Sequence, residues 1–349
     1  MTRRARGANS AHAAQPLKFR ALKGEPVVDL VHPNDVPRPP WLARLILSLF
    51  GVVLALGLAE VAARLVPSTD QFAGRMTVFR AAVLRPEPQT GWRAVAGAQV
   101  EVGGIAYRFD DLGCRGPMPR PQDPRPTLLI AGDSMAMGWG VAERQTFAGR
   151  LATARPDLQV RNAGMVGFNL GQDIARVAQL LPILRPKEVL LAYFANDAEA
   201  RGDGREDWLA KSALWRRIQP PLWSLAAGIG LAADVTAYHE KLHAPHSPGW
   251  QRVTEGFGQF ADLCVRSRVA CTVVLIPELQ KRPYGLSSLH ERLAQLARAD
   301  GLRVLDLAPT LAGLHPQDLW VMPDDAHPNA EAHRRFADFL LQHLSAEQP

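Results

Sequence analysis

Beyond residue 126, short apolar runs alternate with longer segments in which apolar residues recur every three or four positions. The runs predict five strands, at 127–131, 158–161, 187–194, 272–277 and 303–307. The periodic segments predict helices at about 145–154, 169–184, 250–267, 286–299 and 330–345. Strands that alternate with helices form a parallel sheet covered on both faces. The pattern therefore predicts an α/β domain over 127–349.

Two stretches interrupt this regularity. Residues 67–126 are rich in Gly and Pro and predict a linker with a small β-rich region. Residues 198–250 form a helical insertion that carries four tryptophans, Trp208, Trp215, Trp223 and Trp250. The insertion is either an additional packing layer or a lid or membrane-facing patch over the site.

An uncharged apolar run occupies residues 45–59, LILSLFGVVLALGLA. It is shorter than the roughly 20 residues of a usual span. However, Trp41 suits a membrane interface, and Arg44 and Arg64 can extend their charges outward. We therefore expect a transmembrane signal anchor over 41–66. A buried core helix and a cleaved signal peptide are the alternatives, although no distinct cleavage site follows the run.

Charge is concentrated ahead of this run. The chain has a formal net charge of +6, and residues 1–44 hold eight Lys or Arg against three acids. The rest is nearly neutral, so no basic face for nucleic acid is expected. Residues 1–40 lack periodicity and predict a disordered cytoplasmic tail. The positive flank predicts a single-pass protein of a bacterial inner membrane, with the α/β domain in the periplasm.

Polar residues follow the predicted strands at their carboxyl ends, where sites form in parallel sheets. Gly132-Asp133-Ser134 follows the first strand, Asn162-Ala163-Gly164 the second and Asn196-Asp197 the third. A last group, Asp324-Asp325-Ala326-His327, precedes the final helix. Each group alone could be a turn or a helix cap, but together they predict one site.

This set of residue types suits acyl transfer through a serine. Ser134 is the candidate nucleophile and His327 the base that removes its proton. Asp324, three residues earlier, is expected to orient the imidazole. The backbone N–H groups of Ser134 and Gly164 and the side-chain amide of Asn196 are candidate donors for an oxyanion hole. No metal or organic cofactor is required.

The motifs resemble those of the SGNH, or GDSL-type, serine hydrolases. The family's blocks match Gly132-Asp133-Ser134, Gly164, Asn196 and the Asp-x-x-His of Asp324 and His327. The stretches 91–92, 112–116 and 138–141 are similar to membrane-anchored bacterial members. The resemblance implies a flavodoxin-like three-layer α/β/α fold with a five-stranded parallel sheet, and esterase activity. One departure is Phe194, which stands where the family usually has Gly.

The leading hypothesis is an extracytoplasmic esterase that hydrolyses acetyl or other short-chain esters of small molecules or cell-envelope glycans. The alternative is a periplasmic O-acyltransferase that modifies an exopolysaccharide with the same site. Alginate-type acetyltransferases place an Asp-x-His element before the serine block, and none precedes Ser134 here. A non-catalytic envelope scaffold is a third interpretation, which the intact Ser134, Asp324 and His327 disfavour.

Two further patterns in the sequence could indicate a metal site and a disulfide. His239-Glu240-Lys241-Leu242-His243 matches the H-E-x-x-H pattern of zinc proteases. Pro245 and Pro248 end the predicted helix at once, so a solvated helix end is the favoured interpretation. Cys264 and Cys271 could form a disulfide in an oxidising compartment, if the short connection permits the required separation.

Overall fold

A computed structural model describes most of the chain. The described residues are 40–65, 71–120, 122–200, 212–215, 217–218, 222, 234–280 and 284–344. They belong to two compact units, one ending at Gly57 and one beginning at Leu58. Residues 1–39 of the predicted tail lie outside the described part. Much of the insertion at 198–250 also lies outside it.

Helix α1 spans Pro40–Leu65, 26 residues, or about 39 Å at 1.5 Å per residue. It extends beyond the uncharged run at both ends, and Glu60 and Arg64 form an (i, i+4) ion pair of 2.8 Å within it. Within Trp41–Leu65, an 18-residue window has a mean hydropathy of 2.4, and none of that window is buried inside the protein. The helix is therefore long and apolar enough to cross a membrane, and it is not a core helix.

The second unit is built on the predicted sheet. Five parallel strands lie in the order β6-β5-β7-β8-β9. Their bounds are β5 Thr127–Gly132, β6 Gln159–Asn162, β7 Glu188–Tyr193, β8 Ala270–Leu275 and β9 Arg303–Asp306. In sequence terms this is the flavodoxin-like order 2-1-3-4-5. The predicted α/β class and strand number are confirmed.

Alternation along the strands supplies two cores. Leu129, Val189 and Val273 face one side, where α5 (Leu170–Leu184), α7 (Pro248–Ser267) and α8 (Ser287–Ala299) pack. Leu128 and Leu190 face the other, under α4 (Phe147–Ala154) and α9 (Ala330–Leu344). Because side chains on a strand alternate between faces, the strands are apolar throughout, as in sheets covered on both sides.

A third apolar cluster lies at the carboxyl end of the sheet. Helix α2 (Gln71–Val83) and two hairpins pack there; the hairpins are β1–β2 (Leu84–Glu87, Gly91–Ala94) and β3–β4 (Gln99–Val102, Ile105–Arg108). Phe79 of α2 meets Tyr107 and Trp139 edge-on, with ring centroids 5.1 and 5.4 Å apart. Sequence reasoning expected a β-rich region here and missed α2, whose apolar periodicity is weak.

The disulfide left open by the sequence is formed. Cys264, in the last turn of α7, is bonded to Cys271 of β8, with Cα atoms 6.2 Å apart. Arg268 adopts a left-handed conformation that reverses the chain between them. This reversal brings the two Cα atoms within the usual disulfide range.

Candidate active site

Three loops at the carboxyl end of the sheet meet around a cavity of about 680 Å³. Ser134 follows β5 and Asn196 follows β7. His327 lies on the antiparallel hairpin of β10 (Trp320–Met322) and β11 (Asp325–Pro328). All three residues line the cavity, so the structure brings together these sequence-predicted residues.

Ser134 is held at a sharp turn between β5 and a short helix, α3 (Ser134–Met137). Asp133 caps this helix, its Oδ1 accepting a 2.8 Å hydrogen bond from the Met135 N–H. Gly132 has a φ of +146°, and a Cβ there would lie 2.5 Å from the Ala192 carbonyl oxygen. The tight approach of β5 to β7 therefore requires glycine immediately before the Asp133-Ser134 pair.

His327 bridges the serine and a carboxylate. Its Nε2 lies 2.9 Å from Ser134 Oγ, and its Nδ1 lies 2.5 Å from Oδ1 of Asp325. Asp324, which the sequence pattern named, instead accepts a 3.2 Å hydrogen bond from the Phe72 N–H. The expected contact of Asp324 with the imidazole is therefore wrong. Residues 325 and 327 share one face of β11 because side chains alternate along a strand, whereas residue 324 belongs to the turn.

The Asp325 carboxylate is itself held on its far side. Its Oδ2 accepts hydrogen bonds from Trp139 Nε1 at 3.0 Å and from Arg75 Nη2 at 3.1 Å. Burial opposes ionisation of this carboxyl, but the hydrogen bonds and charge of His327, together with Trp139, lower its pKa below the ordinary value. Asp325 is thus an anion fixed in orientation, suited to stabilise a protonated imidazole.

Helix α2 contributes to this arrangement through residues that the sequence did not mark. Phe72 stacks on His327, with ring centroids 5.7 Å apart, and Arg75 pairs with Asp325. Met76 and Arg80 line the same cavity. No motif surrounds these residues, so only packing reveals their place.

Of the three predicted oxyanion donors, two lie where they were expected and one does not. Ser134 begins α3, where the first N–H groups of a helix lack intrahelical acceptors, and Asn196 lines the cavity. The N–H of Gly164, however, donates to Oδ1 of Asn162 at 3.0 Å. A Cβ on Gly164 would lie 2.5 Å from the Met137 nitrogen, so this glycine serves close packing under α3. Gly164 is therefore not the expected donor.

Gly167, three residues later, lines the cavity in its place. Its φ is +72°, and an added Cβ would meet only Trp92 and Arg80, at 3.5 and 3.6 Å. Both glycines stand in one loop of the sequence, and only the structure shows that Gly167 rather than Gly164 lines the cavity.

Phe194, the departure noted in the third block, is buried in the cavity wall. Its backbone N–H donates to Oδ2 of Asp197 at 2.7 Å. The Phe194 side chain is therefore part of the cavity lining, next to Asn196.

Three buried carboxyls lie behind the nucleophile, on Asp133, Asp173 and Asp197. Burial raises the pKa of Asp133 to about 6. Burial, with the neighbouring carboxyl charges, raises the pKa of Asp173 and of Asp197 well above the ordinary value. Both oxygens of Asp173 lack a hydrogen-bond partner in the described part of the protein. These carboxyls are consequently protonated at pH values where surface aspartates are ionised.

The H-E-x-x-H segment does not assemble a metal site. Both ring nitrogens of His243 are engaged, Nε2 with the Tyr193 hydroxyl at 2.7 Å and Nδ1 with the His239 carbonyl at 2.8 Å. Glu240 pairs with Arg292 at 3.0 Å. The helix, α6 (Val235–Leu242), ends at the second turn, as expected from the following prolines. Among the described residues, no three His, Cys, Asp or Glu side chains are grouped as metal ligands.

The family model of the GDSL-like lipases and acylhydrolases matches residues 130–335, more than half of the chain. The chain belongs to this family. It is therefore a carboxylic ester hydrolase with the SGNH fold, as the sequence resemblance implied. No curated protein matches the chain.

The solved structures to which the chain is similar are distant from it in sequence. A lipolytic G-D-S-L family protein from Veillonella parvula is 14% identical, with a TM-score of 0.42 over 63% of this chain and 99% of its own. TesA is 18% identical, with a TM-score of 0.41 over 63% and 98%. A catalytic mutant of Axe2, an acetylxylan esterase from Geobacillus stearothermophilus, is 16% identical, with a TM-score of 0.40 over 64% and 95%.

Proposed function

We propose that this SGNH hydrolase is a membrane-anchored, extracytoplasmic esterase that removes acetyl or other short acyl groups from cell-envelope glycans. The observation that carries the proposal is the chain of contacts from Ser134 Oγ through His327 to Asp325, at 2.9 and 2.5 Å. A hydroxyl, an imidazole and a fixed carboxylate in this order form an activated nucleophile.

The proposed reaction proceeds through an acyl-enzyme. Ser134 Oγ attacks the ester carbonyl while its proton passes to His327 Nε2, and Asp325 stabilises the imidazolium. The N–H groups of Ser134 and Gly167 and the Asn196 amide receive the oxyanion. His327 then returns the proton to the departing alcohol, and a water molecule activated by the same imidazole releases the acid and restores Ser134.

The location rests on three features. Helix α1 is apolar and unburied, and the positive charge lies ahead of it. The Cys264–Cys271 disulfide suits an oxidising compartment. In intact spheroplasts, added protease should therefore digest the catalytic domain, whereas a tag at residue 1 should be protected; the reverse pattern contradicts this orientation.

The preference for short acyl groups is supported by Met135 and Phe194, which line the cavity beside Ser134. The test uses the full-length protein in detergent with p-nitrophenyl esters of two, four and eight carbons. We expect the acetyl ester to be hydrolysed fastest, and Ser134→Ala to lose activity on the order of 10³-fold or more. Equal rates for both proteins would remove the serine mechanism.

The acyltransferase alternative shares the acyl-enzyme and differs only in the acceptor. Product analysis in the presence of a tenfold molar excess of an oligosaccharide over the ester separates the two. Free acetate identifies the hydrolase, and acetylated oligosaccharide as the main product identifies a transferase.

A further inference from the structure

Helix α6 places a second histidine at the active-site cavity. His239 lines the cavity together with Ser134, Asn196 and His327. Its side chain is 4% exposed, and it lies edge-on to Phe194 and Tyr238, with ring centroids 6.1 and 5.3 Å away. The ring is thus held by aromatic packing in a wall of the site.

The ring of His239 has unused hydrogen-bonding capacity within the described part of the protein. Nδ1 of His239 is buried and has no hydrogen-bond partner among the described residues, and the same holds for Oδ1 of Asn196. Buried polar side chains nearly always have a partner, and both residues line the cavity, so the described protein leaves polar groups of this wall unsatisfied.

The protonation state of His239 follows from its surroundings. Burial, and to a lesser degree the nearby His243, lower its pKa to about 4, so the ring is neutral at neutral pH. A neutral imidazole carries one donor and one acceptor. An unpaired buried N–H is less tolerated than an unpaired acceptor, so the proton belongs on Nε2, which leaves Nε2–H as the donor.

The polar side chains near His239 already form hydrogen bonds with other residues. The Tyr238 hydroxyl donates to Glu199 at 2.8 Å, and the partner histidine of the motif, His243, is bonded to Tyr193. His239 is therefore the member of the H-E-x-x-H segment that faces the site with an open hydrogen-bonding group.

We propose that His239 is a specificity-determining residue that donates a hydrogen bond from Nε2–H to a hydroxyl of the alcohol part of the ester. This deepens the proposed esterase function and rests on it, because it assigns the substrate class as esters of polyhydroxylated alcohols such as sugars. An aromatic wall with one neutral polar group suits a sugar hydroxyl.

The test compares two acetate esters whose alcohol parts have the same number of carbons. Glycerol 1-monoacetate and propyl acetate both have a three-carbon alcohol part. Only glycerol 1-monoacetate carries hydroxyls, on the second and third carbons of that part. For the full-length protein we expect kcat/KM to favour glycerol monoacetate about tenfold, as one additional hydrogen bond provides. His239→Phe should bring the ratio to about one, mainly by raising KM for glycerol monoacetate.

Two further variants keep the result interpretable. His239→Gln retains a donor and should keep part of the preference, and it stands in for His239→Phe if the phenylalanine variant does not fold. Lys241→Gln changes an exposed residue of the same helix and should leave the ratio unchanged.

The outcomes separate the two proposals. An unchanged ratio in His239→Phe, no preference in the unmodified protein, or an equal loss with both esters overturns the role of His239 and leaves the esterase intact. Absence of turnover of either ester by the folded protein, or turnover unchanged in Ser134→Ala, overturns the serine esterase and this inference together.

Discussion

Oδ1 of Asp325 lies 2.5 Å from Nδ1 of His327, and a single residue separates the two on strand β11. The same carboxylate accepts hydrogen bonds from Trp139 and Arg75. Its neighbour Asp324 bonds the Phe72 N–H instead. Two adjacent aspartates therefore have different partners, and substitutions can distinguish their roles.

Replacing Asp325 with Asn should lower kcat on p-nitrophenyl acetate on the order of 10²–10⁴-fold, because the imidazole loses its anionic partner and its tautomer is no longer fixed. Asp324→Asn should change kcat by less than about threefold, since the amide oxygen can still accept from Phe72. A larger loss in Asp324→Asn than in Asp325→Asn would show that the carboxylates exchange roles in solution.

The two glycines of the second loop should respond differently to alanine. Gly164→Ala forces a Cβ against the Met137 nitrogen and should cost about 1–3 kcal/mol of stability. Gly167→Ala should lower kcat about tenfold or more, since a left-handed alanine is strained and the cavity wall shifts. Thermal unfolding measures the stability of each variant, and ester hydrolysis measures its kcat. A greater loss of kcat per folded molecule in Gly164→Ala would restore Gly164 as the oxyanion donor.

Asp173 should make the protein less stable as pH rises. Its pKa is raised in the folded state, so its contribution to stability is full below the unfolded value of 3.8 and is lost as pH rises toward the folded pKa. Asp173→Asn removes this loss. We expect the variant to gain more in Tm at pH 8 than at pH 5, both relative to the unmodified protein. Asp262→Asn, at an exposed position of α7, is the control. A gain independent of pH would contradict the raised pKa.

The Cys264–Cys271 disulfide closes a short loop, with a sequence separation of 7. Its removal in the Cys264→Ser/Cys271→Ser double variant should cost about 2–3 kcal/mol, or roughly 5–10 °C in Tm. Reductant should lower the Tm of the unmodified protein by a similar amount and leave the double variant unchanged. Equal melting of reduced and oxidised protein would mean that the bond adds no stability.

The sheet and the location of its site followed from local pattern. Apolar runs of strand length, separated by helix-period segments, admit one arrangement, because each strand must be covered on both faces. Ser134, Asn196 and His327 were found because each follows a strand or precedes the last helix, and carboxyl ends of parallel strands meet at one edge. The apolar run predicted helix α1, which extends to Leu65 and contains an ion pair between Glu60 and Arg64.

The partners of those residues were decided by tertiary structure. Asp324 belongs to the turn of the β10–β11 hairpin and Asp325 to its second strand. Gly164 and Gly167 differ in whether they pack under α3 or line the cavity. Phe72 and Arg75 reach the site from α2, more than 200 positions before His327 in the chain. Spacing along a chain limits which residues can meet, but hydrogen-bond direction and close packing, which depend on distant segments, determine which do.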